Sequence, residues 1–240
     1  MPTTITPSNA PTSLGSSADR RPPSIPRSRG ITAHSATLGL RYPRPSDAPA
    51  LYALASDPEV TRYFSWGPYR DEDQARAWLA TLAARRRAGI ALELAIVDRT
   101  DQPIGITLLN DVSLRDRRCC VGTWLGRAHW GTGANRESKA LIARLAFSAL
   151  RMERLGAYAD VRNERSQAAL KRIGFEREGV LRAFHRHGDQ PRDVMVYSLL
   201  RAHWERSELA CADIRVTGRP PARFVASPRA STSPIPVEAR

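Results

Sequence analysis

Apolar residues recur along this chain with two periods, and the switches between them divide it into elements. TLGLRYP (37–43) alternates as a strand does. Ser46 stands where a helix cap belongs, ahead of Ala48, Leu51, Tyr52, Leu54 and Ala55. Asp57-Pro58 opens a short helix carrying Val60 and Phe64. After Trp66-Gly67-Pro68, residues Ala75, Trp78, Leu79 and Leu82 share one face of a long helix over about 71–88. ALELAIVD (91–98), IGITLLNDV (104–112) and CCVGTWLG (119–126) read as three strands, the first two joined by a turn at Gln102-Pro103. Helical spacing follows HWGTG (129–133) and ends near Leu150. RLGAYADV (154–161) is a strand, and NERSQAALKRIGF (163–175) is a helix closed by Gly174. Strands near 176–187 and 192–200 are joined by the turn HGDQP (187–191), and Arg192-Asp193 reads as a structural pair within that hairpin. The order predicts an α/β domain with a mixed sheet: an antiparallel meander, then a strand–helix–strand crossover.

The ends lack these periods. Residues 1–36 and 207–240 are rich in proline and small polar residues, and such segments cannot bury enough apolar surface to offset ordering entropy. The expectation is therefore a folded domain over 37–206 between two disordered tails. No apolar run is long enough to span a membrane, and the first residues lack the pattern of a secretory signal. Cys119, Cys120 and Cys211 show no metal-ligand spacing, and their odd number suits a reducing compartment. A cytoplasmic protein without a metal site is expected.

The net charge of +13 invites a nucleic-acid reading. However, the only lysines are Lys139 and Lys171, so nearly all of the positive charge is arginine, the skew that codon bias in a GC-rich genome produces. The longest basic run is Arg85-Arg86-Arg87, and no aromatic-interleaved basic motif occurs. Nucleic acid is not the expected partner.

The chemistry concentrates where strand 119–126 turns into the next helix. Gly131-Thr132-Gly133-Ala134-Asn135 places glycines at a helix start, where unpaired N–H groups and the macrodipole favour an anion. The Rossmann pattern fails because Arg136 stands where a third glycine belongs, and no Walker stretch exists.

Together with this loop, DPEVTRYFSW (57–66), GTWLG (122–126), HWGTG (129–133), NERSQAALKRIGF (163–175), EGVLR (178–182) and RDVMVYSL (192–199) stand in an order that resembles the GNAT superfamily of acyl-CoA-dependent N-acetyltransferases. The branch that acetylates ribosomal-protein N-termini is the most similar. The resemblance spans about 37–205 and implies the GNAT fold: a mostly antiparallel sheet of about seven strands, flanked by helices and splayed between the fourth and fifth. The family's loop [QR]-x-x-G-x-[GA] aligns with residues 128–133, with Ala128 in place of Gln or Arg.

The resemblance implies acetyl-CoA as cosubstrate and a primary amine as acceptor, either a protein N-terminus or a small molecule, in a monomer or homodimer. Gly131, Thr132, Gly133, Ala134 and Asn135 would hold the pyrophosphate. Arg136 opposes the dipole in the first turn of its helix, a conflict that an anion such as a cofactor phosphate would resolve. A backbone N–H near Trp124-Leu125 would face the thioester oxygen, and Asn163 would touch the pantetheine arm besides capping its helix. Ser166, on the same face, could protonate the leaving sulfur, because the usual tyrosine position is Leu170. The branch's strand carboxylate is replaced by Cys120, which leaves Asp111, Glu137 and His185 as candidate bases; Glu137 also reads as a helix-dipole carboxylate. The acceptor would enter between Tyr63, Phe64 and Trp66 on one side and Phe184 and His185 on the other. The alternative is a non-catalytic acyl-CoA-binding or regulatory module.

Overall fold

The computed structural model describes residues 30–228. Its strands are β1 (Thr32–His34), β2 (Gly39–Arg41), β3 (Leu92–Val97), β4 (Pro103–Ser113), β5 (Arg118–Leu125), β6 (Arg154–Asp160), β7 (Glu176–His187), β8 (Gln190–Leu200) and β9 (Arg215–Thr217). Its helices are α1 (Ala48–Ala55), α2 (Pro58–Thr61), α3 (Glu72–Ala88), α4 (Ala134–Arg144), α5 (Glu164–Arg172), α6 (Arg201–Glu205) and α7 (Glu208–Cys211). All nine strands join one sheet in the order β7-β8-β6-β5-β4-β3-β2-β1-β9. The seven strands expected from alternation are β2 to β8; β1 and β9 extend one edge.

Every strand pair is antiparallel except β5–β6. That parallel pair holds for three registers only: Arg118↔Arg154, Cys119↔Leu155 and Cys120↔Gly156. Beyond Cys120 the two strands part. β5 continues along β4 to Leu125, and β6 along β8 to Asp160. The edges of 121–125 and 157–160 thus face a gap in mid-sheet.

The helices cover the two faces unequally. Cys119, Val121, Leu155, Ala157, Tyr197 and Leu199 lie under α4 and the π-helical turn Leu145–Ala149, within a cluster that includes Leu141, Ile142 and Phe147. The opposite face buries a small cluster, Leu51, Ala95, Val97 and Ile106, under α1 and α3, and it ends at Trp124 on β5.

Local chemistry fixes most helix ends. The Asp71 carboxylate accepts from Gln74 N–H at the start of α3, acids fill the first turn and arginines the last, and Gly89 closes it in the left-handed region. Ser46 does not cap α1. Residues Pro45–Asp47 form a 3₁₀ turn, and the buried Asp47 carboxylate accepts from Arg44 N–H and from the Arg41 guanidinium at 2.8 and 2.9 Å. Only a carboxylate can neutralise a buried arginine, so the acid takes the role expected of the hydroxyl. α2 stops at Thr61, leaving Phe64 in the following loop.

The expected C-terminal tail is corrected over 207–228. α7 packs on α4, and Arg144 donates to the carbonyl oxygens of Ala210 and Ala212. β9 pairs with β1, which lies in the expected N-terminal tail, and Phe224 and Ala226 are fully buried. A few anchors on a preformed core edge suffice here, and anchors so sparse leave no periodic signal. Residues 1–29 and 229–240 of the expected tails lie outside the described residues.

Candidate active site

After β5 the chain makes a 3₁₀ turn, Arg127–His129, and reaches Gly131 at φ 76° and Gly133 at φ 91° before α4 begins. Both torsions lie where a side chain costs about 1–2 kcal/mol. A Cβ at either glycine would meet nothing within 4 Å. Packing therefore does not demand these glycines; the turn does, and it leaves open space before the first N–H groups of α4. Such a cradle suits a diphosphate.

Among the described residues, two carboxylates, Asp98 and Glu137, share a cavity with this loop. Glu137, in the first turn, points away and accepts from Ser35 Oγ, Thr37 Oγ1 and the N–H groups of Thr37 and Leu38. Despite its burial, these bonds hold its carboxyl below the ordinary range. It clamps the β1–β2 turn to α4, so its lone pairs are not free to act as a base. Arg136 pairs with Glu208 of α7 instead of waiting unpaired for a phosphate. A cavity of about 310 Å³ beside the loop, lined by Thr37, Asp98, His129 and Thr132, opens toward β2 and β3 and not over the strand gap.

At the mouth of the gap, Trp130 Nε1 donates to Leu125 O at 2.9 Å, and the Arg165 guanidinium of α5 lies 3.2 Å from the centre of the Trp130 ring. This stack ties the glycine loop to α5. At the start of α5, Asn163 Oδ1 accepts from Ser166 N–H at 3.1 Å, so the cap reading holds in the structure. Ser166 is half-buried, and its hydroxyl has no partner among the described residues.

The floor of the gap lies on the face away from α4. Cys120 and Gly156 are register partners, and a Cβ on Gly156 would come within 2.9 Å of Cys120 Sγ, so the glycine makes room for the thiol. Two residues on, the Tyr158 hydroxyl lies close enough to the Cys120 thiol for each to act on the other's proton. Burial and that thiol push the Tyr158 hydroxyl up to about 12, and burial also raises the Cys120 thiol. Both are protonated at neutral pH. Asp111, exposed and at φ 49° in a bulge of β4, projects its charge onto both groups. A cavity of about 210 Å³ opens here between Arg118, Cys120, Arg154, Gly156, Tyr158 and Val196.

Aromatic rings wall the floor on either side of the gap. Phe64 stacks on Trp66 at 5.2 Å, and Trp66 meets Trp124 of β5 edge-on at 5.6 Å. Across the gap, Phe184 and His185 lie 5.1 and 6.1 Å from the Tyr158 ring. Tyr63 joins the two sides, donating to the Arg162 carbonyl at 3.3 Å. Tyr63, Phe64 and Trp66 thus stand on the β5 side of the gap, and Phe184 and His185 on the β6 side.

Sequence reasoning missed Tyr158 and Lys139. Tyr158 had a readable signal, an inward tyrosine at the position in RLGAYADV that faces the gap. Lys139 had none: it sits at a helix position facing the sheet, fully buried, with Nζ donating to Thr123 Oγ1. Burial alone brings it down to about 7.

A sheet split between two parallel strands, with a glycine turn at one end of the gap, is the geometry; the comparisons supply the class, an acyltransferase that uses acetyl-CoA. The acetyltransferase (GNAT) domain family matches residues 37–176. The chain is 32% identical over 174 residues to the uncharacterized N-acetyltransferase p20 of Bacillus licheniformis, covering 72% of this chain and 98% of that one. It is 32% identical over 165 residues to the uncharacterized N-acetyltransferase YoaA of Bacillus subtilis, covering 68% and 93%. A solved acetyltransferase structure from T. thermophilus superposes with TM-score 0.64 at 34% identity, covering 72% and 90%. The chain belongs to the GNAT acetyltransferase family; it is an N-acetyltransferase, and its acyl donor is acetyl-CoA. Among the described residues no helix is long and apolar enough to cross a membrane, and no group of three or more His, Cys, Asp or Glu could hold a metal ion.

Proposed function

We propose that the enzyme transfers acetyl to a primary amine, a peptide α-amine, by direct attack on the thioester. The observation that carries this reading is the continuity of the site: the amide cradle at Gly131–Asn135, the strand gap and the Cys120–Tyr158 floor follow one another along β5. When bound, acetyl-CoA supplies the activated acyl group. The loop amides hold its diphosphate, and the unpaired edge of β5 pairs with its arm, with a backbone N–H at Trp124-Leu125 facing the carbonyl oxygen. Asn163 and Ser166 line the α5 side, and the unpartnered Ser166 hydroxyl protonates the leaving sulfur.

In this reading Asp111 takes the amine proton, directly or through water; its charge at Cys120 and Tyr158 and the engagement of Glu137 elsewhere support it. An α-amine has an unperturbed pKa of about 7.7–8.0, so a weak base suffices. The motif order supports the ribosomal-protein branch, as does YdaF of Bacillus subtilis, named for ribosomal N-acetyltransferase activity and 31% identical over 101 residues, 42% of this chain and 55% of that one. A protein of the same fold at 18% identity is a spermidine N-acetyltransferase from Vibrio cholerae, so the fold also admits polyamines.

The test is thiol release from acetyl-CoA over a panel of peptides, amino acids and polyamines. Saturable binding with no thiol release for any amine would overturn the reading. Ser166→Ala should lower kcat about tenfold or more while leaving coenzyme A affinity intact.

A further inference from the structure

Of the arginines on the acceptor side of the gap, Arg62 and Arg162 have carboxylate partners within 4 Å and Arg192, among the described residues, has none. Register places the groups. Tyr158↔Val196 and Asp160↔Val194 put β8 residues 192, 194, 196 and 198 on the face that holds Tyr158, and His185↔Arg192 adds His185. Of Arg192-Asp193, read as structural within the hairpin, Asp193 has such a role. Between Leu181↔Val194 and His185↔Arg192, three β7 residues oppose one on β8. Ala183 sits there at φ 51°, its N–H held by Asp193 Oδ1 at 2.8 Å. Asp193 therefore maintains the bulge that turns Phe184 and His185 onto Tyr158.

After the Arg162 hydrogen bonds, Arg192 lies close enough to Asp160 for its charge to help hold that carboxyl down, but it makes no direct contact with it. It makes no ion pair within 4 Å among the described residues, and its Nε is buried without a partner. The acids nearby are engaged: Asp160 takes a two-point contact from Arg162, and Glu59 lies 3.5 Å from Arg62. Arg62 and Arg162 flank the Tyr63 ring at 5.5 and 6.0 Å. His187 faces this cluster, and burial together with Arg192, His185 and Arg162 disfavours its charged form, against the opposing pull of Asp160.

Arg192 lies four β8 residues from Val196, the partner of Tyr158, a span of about 13 Å along a strand. A small amine seated at Tyr158 falls short of it, whereas an extended peptide covers that span in about four residues. Resting on the acetyl-transfer reading above, we propose that the acceptor is a peptide N-terminus with acidic residues at about its third to fifth positions, held by Arg192 at the rim of the cleft. The α-amine then lies toward Asp111 and the acidic side chain toward Arg192, so the peptide's own polarity sets its direction in the cleft.

The test uses the full chain and free-amine octapeptides that share a first residue and carry Asp or Lys at positions two to five, with spermidine as a third acceptor. The expected result is kcat/KM about tenfold or more higher for the acidic peptide, falling toward parity at high salt. Arg192→Gln should remove that preference through KM, with kcat at saturating peptide and coenzyme A affinity unchanged. Arg192→Lys should restore part of it. Equal rates on both peptides, a basic preference, or an acidic preference that survives Arg192→Gln would each overturn the inference. Turnover of spermidine without turnover of either peptide would overturn it and leave acetyl transfer to amines standing. Thiol release with none of the three would overturn neither the cofactor nor the fold, but would remove both the peptide acceptor and this inference.

Discussion

On the α4 side of the sheet, β5, β6 and β8 present cysteine, valine, leucine, alanine and tyrosine to a continuous apolar layer, and one helix with its π turn covers them. On the other side the same three strands present Cys120, Tyr158, Asp160, Arg192 and Ser198, and the apolar cluster stops short of them at Trp124. Period-two alternation produces both faces from alternate residues of the same strands. One face gains its stability from burial, and the other is left open enough to hold a substrate. The strand gap lies between them and gives each face access to the reacting groups.

Substitutions under α4 should therefore cost stability, and substitutions at the gap should cost function. The largest effect is expected at Phe224, fully buried though it lies in a proline-rich segment. Phe224→Ala should destabilise by about 3–5 kcal/mol, measured by denaturant unfolding, with little change in coenzyme A affinity for the molecules that stay folded. A loss under about 1 kcal/mol would mean that the segment rests on the core without adding to it. Next in size is Gly133→Val. The strained torsion and the new side chain in the open cradle should weaken coenzyme A binding by roughly 100-fold in calorimetry. The unfolding midpoint should fall less than for Phe224→Ala, because the added atoms meet no protein.

The two regions also differed in how well they could be read from sequence. The core strands were legible because alternation and helical period record which residues are buried, and the glycine loop because left-handed torsions favour one residue type. Glu137 read as a dipole carboxylate, but its partners are Ser35, Thr37 and Leu38, about a hundred positions away, and no period records such a contact. Arg192-Asp193 read as structural within the hairpin, which holds for Asp193, but its partner, the N–H of Ala183 in a three-for-one bulge, follows from no period. Phe224 failed for a third reason: one aromatic among prolines is too sparse a signal, although a single ring can fill a prepared site. Long-range polar contacts and lone anchors escape a reading built on repetition.

Lys139 breaks the rule that the α4 face is apolar, and pH should expose it. Burial brings its pKa from 10.5 down to about 7. Between those values the unfolded chain binds a proton that the folded chain does not, so stability should rise with pH across that window. Lys139→Met should stabilise the protein by about 1–2 kcal/mol near pH 6, and the gain should shrink as pH approaches 10. A gain that does not change with pH would show that the amine finds compensation beyond Thr123. The lost Thr123 contact opposes this gain, which keeps the expected effect well below the Phe224 loss.

The smallest effect is expected on the open face, with the same pH sense as Lys139 but in an acid window. Glu178 accepts from Arg154 and from Ser198 Oγ, and the Arg154 hydrogen bonds bring its carboxyl down to about 2 against burial. A depressed carboxyl stabilises fully above its unfolded value of 4.5, and that contribution is lost as pH falls toward 2. Both side chains are partly exposed, 33% and 40%, so water and salt screen the pair to about 0.5 kcal/mol. Glu178→Gln should lower stability by that amount at neutral pH and by nothing measurable near pH 2, with the difference smaller in high salt. A larger loss would mean that this pair holds β7 against the sheet below the cleft. In that case the hairpin carrying His185 and Arg192 should loosen as well, and the acidic-peptide preference should fall with stability. If the loss is small, the cleft face draws its order from backbone pairing alone, and its charges are free to serve the acceptor.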